Sequence, residues 1–495
     1  MSADTNFAVA TPATKLNQRA LSLGVAQGVD YAMQLLLPLV LVRCLDAAAF
    51  GQYRLLWLVV ATVLPFANMA MPASLFYFLP RSDGPTQRLY VNQTLAFLAV
   101  AGLVASIAVG PWSPWMPENA RGLTAYGAFV PAFVLLSVVA SLLDQLPTAD
   151  DRSVWQAKAT IGLATLRATA LSAAAILTRD LGGVLAVLLA FVIFKLAVLI
   201  VYVARHHGLG GPLLRWPALC DQVRYAAPFG VGAAVYMLRS QADQWVAATL
   251  FPLGMFASFS IAAVLEPLLN VFRQAAALAF LPSMSRLQAS GDLRGALALN
   301  SRANVMIATL FYPLLVFAFV FAEDLVTLVY TAAYIDAATV MRVYVFGAAA
   351  FVIELGTVTL VLRQGSFILA LNLVTFGCSA VVSWYAAQRF GLAGAAVGSV
   401  TMAYLDRIVT LWRISCLAGM AIRRLQDWRT LGLQLLLAAL AGTLAYAITR
   451  AYFTQSEPLV RVIAGGAILA VAYGVVRVCC RETAGKALRA HQQGD

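Results

Sequence analysis

The residues of this chain that invite chemistry are ionisable and amide side chains set inside long apolar runs. A charge at bilayer depth costs roughly 3 kcal/mol or more, so it faces a wet cavity or a partner. Tyr236, Arg239 and Asp243 stand at i, i+3 and i+7, one face of a helix. Two roles fit them: a self-neutralised Arg239–Asp243 pair that lets the helix insert, or the wall of a cavity. Glu266, Asn270 and Arg273 share a face by the same spacing, with Gln274 beside them. Pro267 frees a backbone carbonyl near Glu266, which fits a cavity wall. Gln27, Asp30 and Gln34 form a third polar stripe, suited equally to a cavity and to gluing helices together.

Arg167 and Lys195 lie deep in two further runs, with no acid on their own helices. As binding residues they would make a basic cavity for an anionic head group. As structural residues they would snorkel, or pair with Asp30 across helices. Glu354 is a lone acid within a run, either a proton or cation carrier or the partner in an interhelical hydrogen bond. Asp30 and Glu354 are therefore the candidates for ion coupling. Arg342, Asp406 and Arg407 lie nearer run ends and read as interfacial, and His206 and His207 sit in a polar link and read as solvated. Gly394 and Gly398 make a GxxxG pair, the pattern of close helix packing. No Ser/His/Asp set, Cys/His site or metal-spaced acidic motif occurs, and Gly485-Lys486 lacks the rest of a phosphate-binding loop. The expectation is a protein without catalytic residues, metal or cofactor.

The elements that must position these residues follow from composition. Hydrophobic residues make up 61% of the 495 and charged residues 11%, against roughly 25% charged in a soluble domain. The apolar residues come in runs such as Val184–Val203, broken only by Lys195, and Ile307–Ala322. Runs near 20 residues match a ~30 Å hydrocarbon core at helical rise, and lipid forces every backbone group to be satisfied within the segment. The expected fold is an all-α polytopic membrane protein with fourteen spans, near 20–42, 55–78, 89–109, 122–143, 155–177, 181–203, 225–250, 254–280, 303–322, 338–362, 365–388, 391–412, 430–449 and 459–478. The net charge of +12 fits basic residues held in cytoplasmic loops, so nucleic acid is not an expected partner. The six cysteines have no metal-ligand spacing and read as free thiols.

Basic residues outside the spans concentrate in the tails and even-numbered links, Arg81, Arg88, Arg152 and Arg205 among them. That bias places both termini in the cytoplasm. No link has room for a soluble catalytic module, and the polar N-terminus lacks the pattern of a cleaved signal. Ala48-Ala49-Phe50-Gly51-Gln52-Tyr53 and Phe251-Pro252-Leu253-Gly254-Met255-Phe256 both place a Gly two residues before an aromatic, six spans apart. A six-helix repeat accounts for this, and so does ordinary interfacial composition. The expected division is a cytoplasmic tail 1–19, a six-helix bundle 20–204, a cytoplasmic linker 205–224, a second bundle 225–418, two additional helices in 419–479 and a cytoplasmic tail 480–495.

Several stretches resemble a known family in order and spacing. They are Leu45-Asp46-Ala47-Ala48-Ala49-Phe50-Gly51-Gln52-Tyr53, Tyr225-Ala226-Ala227-Pro228, Ala242-Asp243-Gln244, Leu281-Pro282-Ser283-Met284-Ser285-Arg286 with Gly291-Asp292, and Phe390-Gly391-Leu392-Ala393-Gly394-Ala395-Ala396. The chain is similar to the Wzx-type flippases of the multidrug/oligosaccharidyl-lipid/polysaccharide exporter superfamily. It departs from them after Asp243, where the family usually has Arg and this chain has Gln244. The resemblance implies two parallel six-helix bundles around a central cavity plus two C-terminal helices, in a bacterial inner membrane. It implies alternating-access flipping of a polyprenyl-pyrophosphate-linked oligosaccharide from the cytoplasmic to the outer leaflet. Membrane lipids, a polysaccharide polymerase and export machinery are the implied partners. The alternatives are a drug/cation antiporter of the same superfamily and a polytopic enzyme of polysaccharide assembly.

Overall fold

Among the described residues most long apolar runs form helices, and several open on an aspartate that caps the first turn. Asp46 accepts from the Ala49 amide at 2.6 Å, Asp180 from Gly183 at 3.3 Å and Asp427 from Thr430 at 3.1 Å. Each cap satisfies one of the amides a helix start leaves open. The structure, a computed structural model, describes residues 13–110, 127–208, 210–263 and 280–492. Among these every regular element is helical. The fold is that of an all-α, multi-pass membrane protein, with eleven helices among the described residues long and apolar enough to cross a bilayer.

The chain divides into two compact units, residues 1–237 and 238–495. The first contains α1 (Ala13–Cys44), α2 (Ala47–Asn68), α3 (Met71–Phe78), α4 (Gly84–Ala108), α5 (Phe129–Ala140), α6 (Leu146–Ala149), α7 (Ser153–Thr178) and α8 (Leu181–His206). Helix α9 (Trp216–Leu250) begins there and continues into the second unit. The second unit contains α10 (Leu253–Ala262), α11 (Leu293–Val320), α12 (Ala322–Tyr330), α13 (Ala337–Ala350), α14 (Gly356–Val361), α15 (Gly365–Phe390), α16 (Leu392–Ala418), α17 (Ile422–Leu425), α18 (Trp428–Tyr452) and α19 (Pro458–Gln492).

Three expected spans lie outside the eleven. Helix α9 carries Asp221, Arg224, Arg239 and Asp243. The span expected at 254–280 is described only as α10. The span expected at 338–362 is interrupted between α13 and α14. The second expected span, 55–78, is also two helices: Met69 (φ 43°) and Ala70 (φ 54°) are left-handed between α2 and α3. Pro65 inside α2 and Pro72 at the start of α3 frame that break. Gly230 of α9 lies directly against the Met69 backbone, where a Cβ would collide with main-chain atoms.

In the first unit α1 packs along α7, and α5 lies against α4 and α8. A neutral amide network lies buried among α3, α4 and α9. Gln222 Nε2 donates to Ser74 Oγ and Thr94 Oγ1, both at 2.8 Å, and its Oε1 accepts from Gln93 at 2.6 Å. In the second unit α15 packs along α16, and α13 along α16. The GxxxG pair does this work, as expected. A Cβ on Gly394 would overlap the Ala386 carbonyl, and one on Gly398 would overlap the Ser379 carbonyl and the Ser383 hydroxyl. Helices α18 and α19 lie on α11, with Gly442 against Val316 and Gly465 against the Phe321 ring. A 2.6 Å ion pair between Arg461 and Asp324 fixes the start of α19.

Candidate functional site

The first unit pairs its intramembrane charges across helices. Arg167 of α7 donates to Asp30 Oδ1 of α1 at 3.1 Å, and Gln34 Nε2 occupies Asp30 Oδ2 at 2.8 Å. Of the alternatives open for Arg167, the structure takes the interhelical pair with Asp30. Lys195 of α8 pairs instead with Asp144, at 2.8 Å. These pairs are not sealed in: side-chain exposure is 20% and 33% for Arg167 and Asp30, and 19% and 56% for Lys195 and Asp144. An ionised group exposed to hydrocarbon is costly, and pairing lowers that cost.

In the second unit Arg239 and Asp243 share a face of α9 but take separate partners. Arg239 donates to Asn372 Oδ1 of α15 at 3.0 Å and lies 3.7 Å from Asp406 of α16. Asp406 also faces Arg407 at 3.8 Å, so one buried carboxylate serves two guanidinium groups. The interfacial position expected for Asp406 is thus corrected: the α15–α16 contact carries it into the unit, where it neutralises Arg239. Arg407 extends over the Phe351 ring, 4.9 Å from its centroid.

Asp243 is 2% exposed. Its Oδ2 accepts from Tyr344 at 2.7 Å and Ser399 at 2.6 Å, and its Oδ1 from the Gln244 amide at 2.8 Å. Among the described residues no Lys or Arg comes within ion-pairing distance of it. A carboxylate surrounded by hydroxyls can take up a proton or a small cation. Glu354 is bound within the α13–α14 break. Its Oε1 accepts from the Gly356 amide at 2.6 Å, and its own amide donates to Asn304 Oδ1 at 3.0 Å. Glu266, Asn270 and Arg273 lie outside the described residues.

Sequence reasoning passed over two acids, Asp144 and Asp150. Asp150 accepts from Tyr202 at 2.8 Å and lies 2.9 Å from His207 Nε2. His207 is therefore buried, 6% exposed, and not solvated as its link position suggested. The link folds back so that Asp150 meets the C-terminus of α8. No local signal marked these partners, because Asp144 and Lys195 stand 51 positions apart and Asp150 and His207 57.

No protein-family model matches the chain, and no curated protein sequence does. Solved structures do match. The chain is similar to the lipid II flippase MurJ in an inward closed conformation, with a TM-score of 0.70 and 10% identity over 92% of this chain and 98% of that one. It is similar to an inward-facing multidrug resistance MATE family transporter of the MOP superfamily, with a TM-score of 0.56 and 14% identity over 80% and 96% of the two chains. A mutant of the Vibrio cholerae MATE transporter VcmN gives a TM-score of 0.53 and 13% identity over 83% and 98%. At these identities the likeness is one of fold. The chain has the all-α fold of these membrane transporters along nearly the whole length of each.

Proposed function

We propose that the protein is a membrane transporter that flips a polyprenyl-pyrophosphate-linked oligosaccharide from the cytoplasmic to the outer leaflet, for assembly of a cell-surface polysaccharide. The observation that carries this reading is the set of exposed ion pairs within apolar spans, Arg167 with Asp30 and Lys195 with Asp144. A sugar-pyrophosphate head needs polar surface and cations to leave water, while its polyprenyl tail stays in lipid. The fold likeness to a lipid II flippase supports the same substrate class. The Wzx-like motifs narrow it to the polysaccharide flippases. In this reading residues 20–204 and 225–418 are the two moving bundles, both termini are cytoplasmic, and the membrane is the bacterial inner membrane. A polymerase and export machinery receive the product, and the protein itself makes or breaks no covalent bond.

A cation antiporter is the second reading, favoured by the hydroxyl-bound carboxylate of Asp243. The two readings differ in cargo. Deletion of the gene separates them. The flippase reading expects lipid-linked oligosaccharide to accumulate on the cytoplasmic leaflet and surface polymer to disappear. Normal polymer export in a strain without a second copy would sink it.

A further inference from the structure

We propose that Asp150 and His207 form a pH-responsive latch, which holds the interrupted segment 141–151 of the first unit more tightly against the end of α8 when His207 is protonated. The latch rests on the geometry of that unit and on no reading of the cargo.

The segment between α5 and α7 is interrupted backbone. Residues Ser141–Asp144 tighten into a 3-10 turn, Gln145 leaves the helical region (φ −128°, ψ −36°), α6 is four residues long, and Asp151 is left-handed (φ 61°). Such a segment lacks the continuous hydrogen-bond ladder of a helix, so its hold on the unit depends on side-chain ties. Two carboxylates tie it to α8. Asp144 meets Lys195 at 2.8 Å, and Asp150 meets Tyr202 at 2.8 Å and His207 Nε2 at 2.9 Å. The two ties differ in their access to water. The Asp144 side chain is 56% exposed, whereas those of Asp150 and His207 are 12% and 6% exposed. With little water to screen it, a change of charge on the His207 ring acts directly on the Asp150 carboxylate.

The groups around the pair give the latch its sign. From the segment, Asp150 faces the ring and Arg152 lies near enough to Tyr202 to act on its hydroxyl. From α4, the Arg88 guanidinium lies beside Gly208. From α8, Tyr202 shares the Asp150 carboxylate, exposed Arg205 stands in the last turn, and His206 stacks on the Tyr202 ring with Nδ1 2.9 Å from the Tyr202 carbonyl. His207 itself caps α8 through its amide, bonded to the Val203 carbonyl at 2.8 Å, so its ring sits at the negative end of the helix dipole. Protonation turns a neutral hydrogen bond to a carboxylate into a charge-assisted one, which is roughly twice as strong. Imidazole is the side chain that ordinarily changes charge between about pH 5 and 8. The chain has three, His206, His207 and His491. His491 lies in the tail and His206 meets a backbone carbonyl, whereas His207 meets a carboxylate. The latch is therefore tight at the acid end of that window and looser at the alkaline end, where the Tyr202 bond alone keeps its strength.

The test is hydrogen exchange read by mass spectrometry on the purified full-length protein in detergent, between about pH 5.5 and about pH 8. After correction for the intrinsic pH dependence of exchange, segment 141–151 of the wild-type chain is expected to be about tenfold better protected at the acid end. His207→Gln keeps a side-chain donor and cannot titrate, so its profile is expected to be flat. Asp150→Asn removes the anion and is expected to be flat as well, while His206→Gln keeps the wild-type response. A response that survives in His207→Gln, or one that disappears only in His206→Gln, overturns the latch. Should the variants fail to fold, the wild-type profile still decides. A response confined to segment 141–151 and the end of α8 supports the latch, and a flat profile overturns it. Because no transport is measured, a failure here leaves the flippase reading standing, and a failed flippase assay leaves the latch standing.

Discussion

Asp406 is the residue on which the charges of the second unit turn. It lies 3.7 Å from Arg239 and 3.8 Å from Arg407, and it is buried. Removing one partner of a buried ion pair costs about 3–5 kcal/mol, because the other charge remains in low dielectric. Asp406→Asn removes the carboxylate that faces both guanidinium groups, whereas Arg239→Gln leaves Asp406 with Arg407. Asp406→Asn is therefore expected to lower the melting temperature in detergent more than Arg239→Gln does, and the reverse order would contradict the shared-carboxylate arrangement. A double-mutant cycle is expected to couple Arg239 to Asp406 more strongly than to Asp243, since Asp243 is held by Tyr344 and Ser399. The helical spacing of Arg239 and Asp243 was readable in sequence. Their real partners were not, because Asn372 and Asp406 reach Arg239, and Tyr344 and Ser399 reach Asp243, only once α13, α15 and α16 fold against α9. Arg167 with Asp30 was within reach as one of three alternatives, and Lys195 with Asp144 was not, since the acid stands 51 positions away.

At the scale of elements, apolar length made most helices legible. The breaks were hidden. Met69 and Ala70 are ordinary residues in left-handed conformations, and what holds them there is tertiary: the close approach that Gly230 permits. The GxxxG contact was legible because its physics is local. Gly398 meets Ser379 and Ser383 of α15, whereas Gly377 on α15 has open space where a Cβ would go. Gly398→Ala is expected to destabilise the α15–α16 pair by separating its backbones. Gly377→Ala should be neutral or stabilising by up to about 1 kcal/mol, the helix propensity difference. Equal melting temperatures for the two variants would refute the role given to Gly398.

For the whole molecule, apolar runs gave the fold class, and the likeness to MurJ and MATE structures is one of fold. Cargo is the claim that a fold alone does not carry, since those two structures already serve different cargoes by name. What favours a lipid-linked anion is chemical: the exposed ion pairs of Arg167 with Asp30 and of Lys195 with Asp144. The most direct measurement is translocation by the purified protein in proteoliposomes loaded with a polyprenyl-pyrophosphate-linked oligosaccharide, scored by access of the head group to an added lectin. The account predicts protein-dependent exposure of the sugar on the opposite leaflet, reduced strongly in Lys195→Gln. Head groups crossing no faster than in protein-free vesicles, with the same preparation exporting a cationic dye, would contradict it.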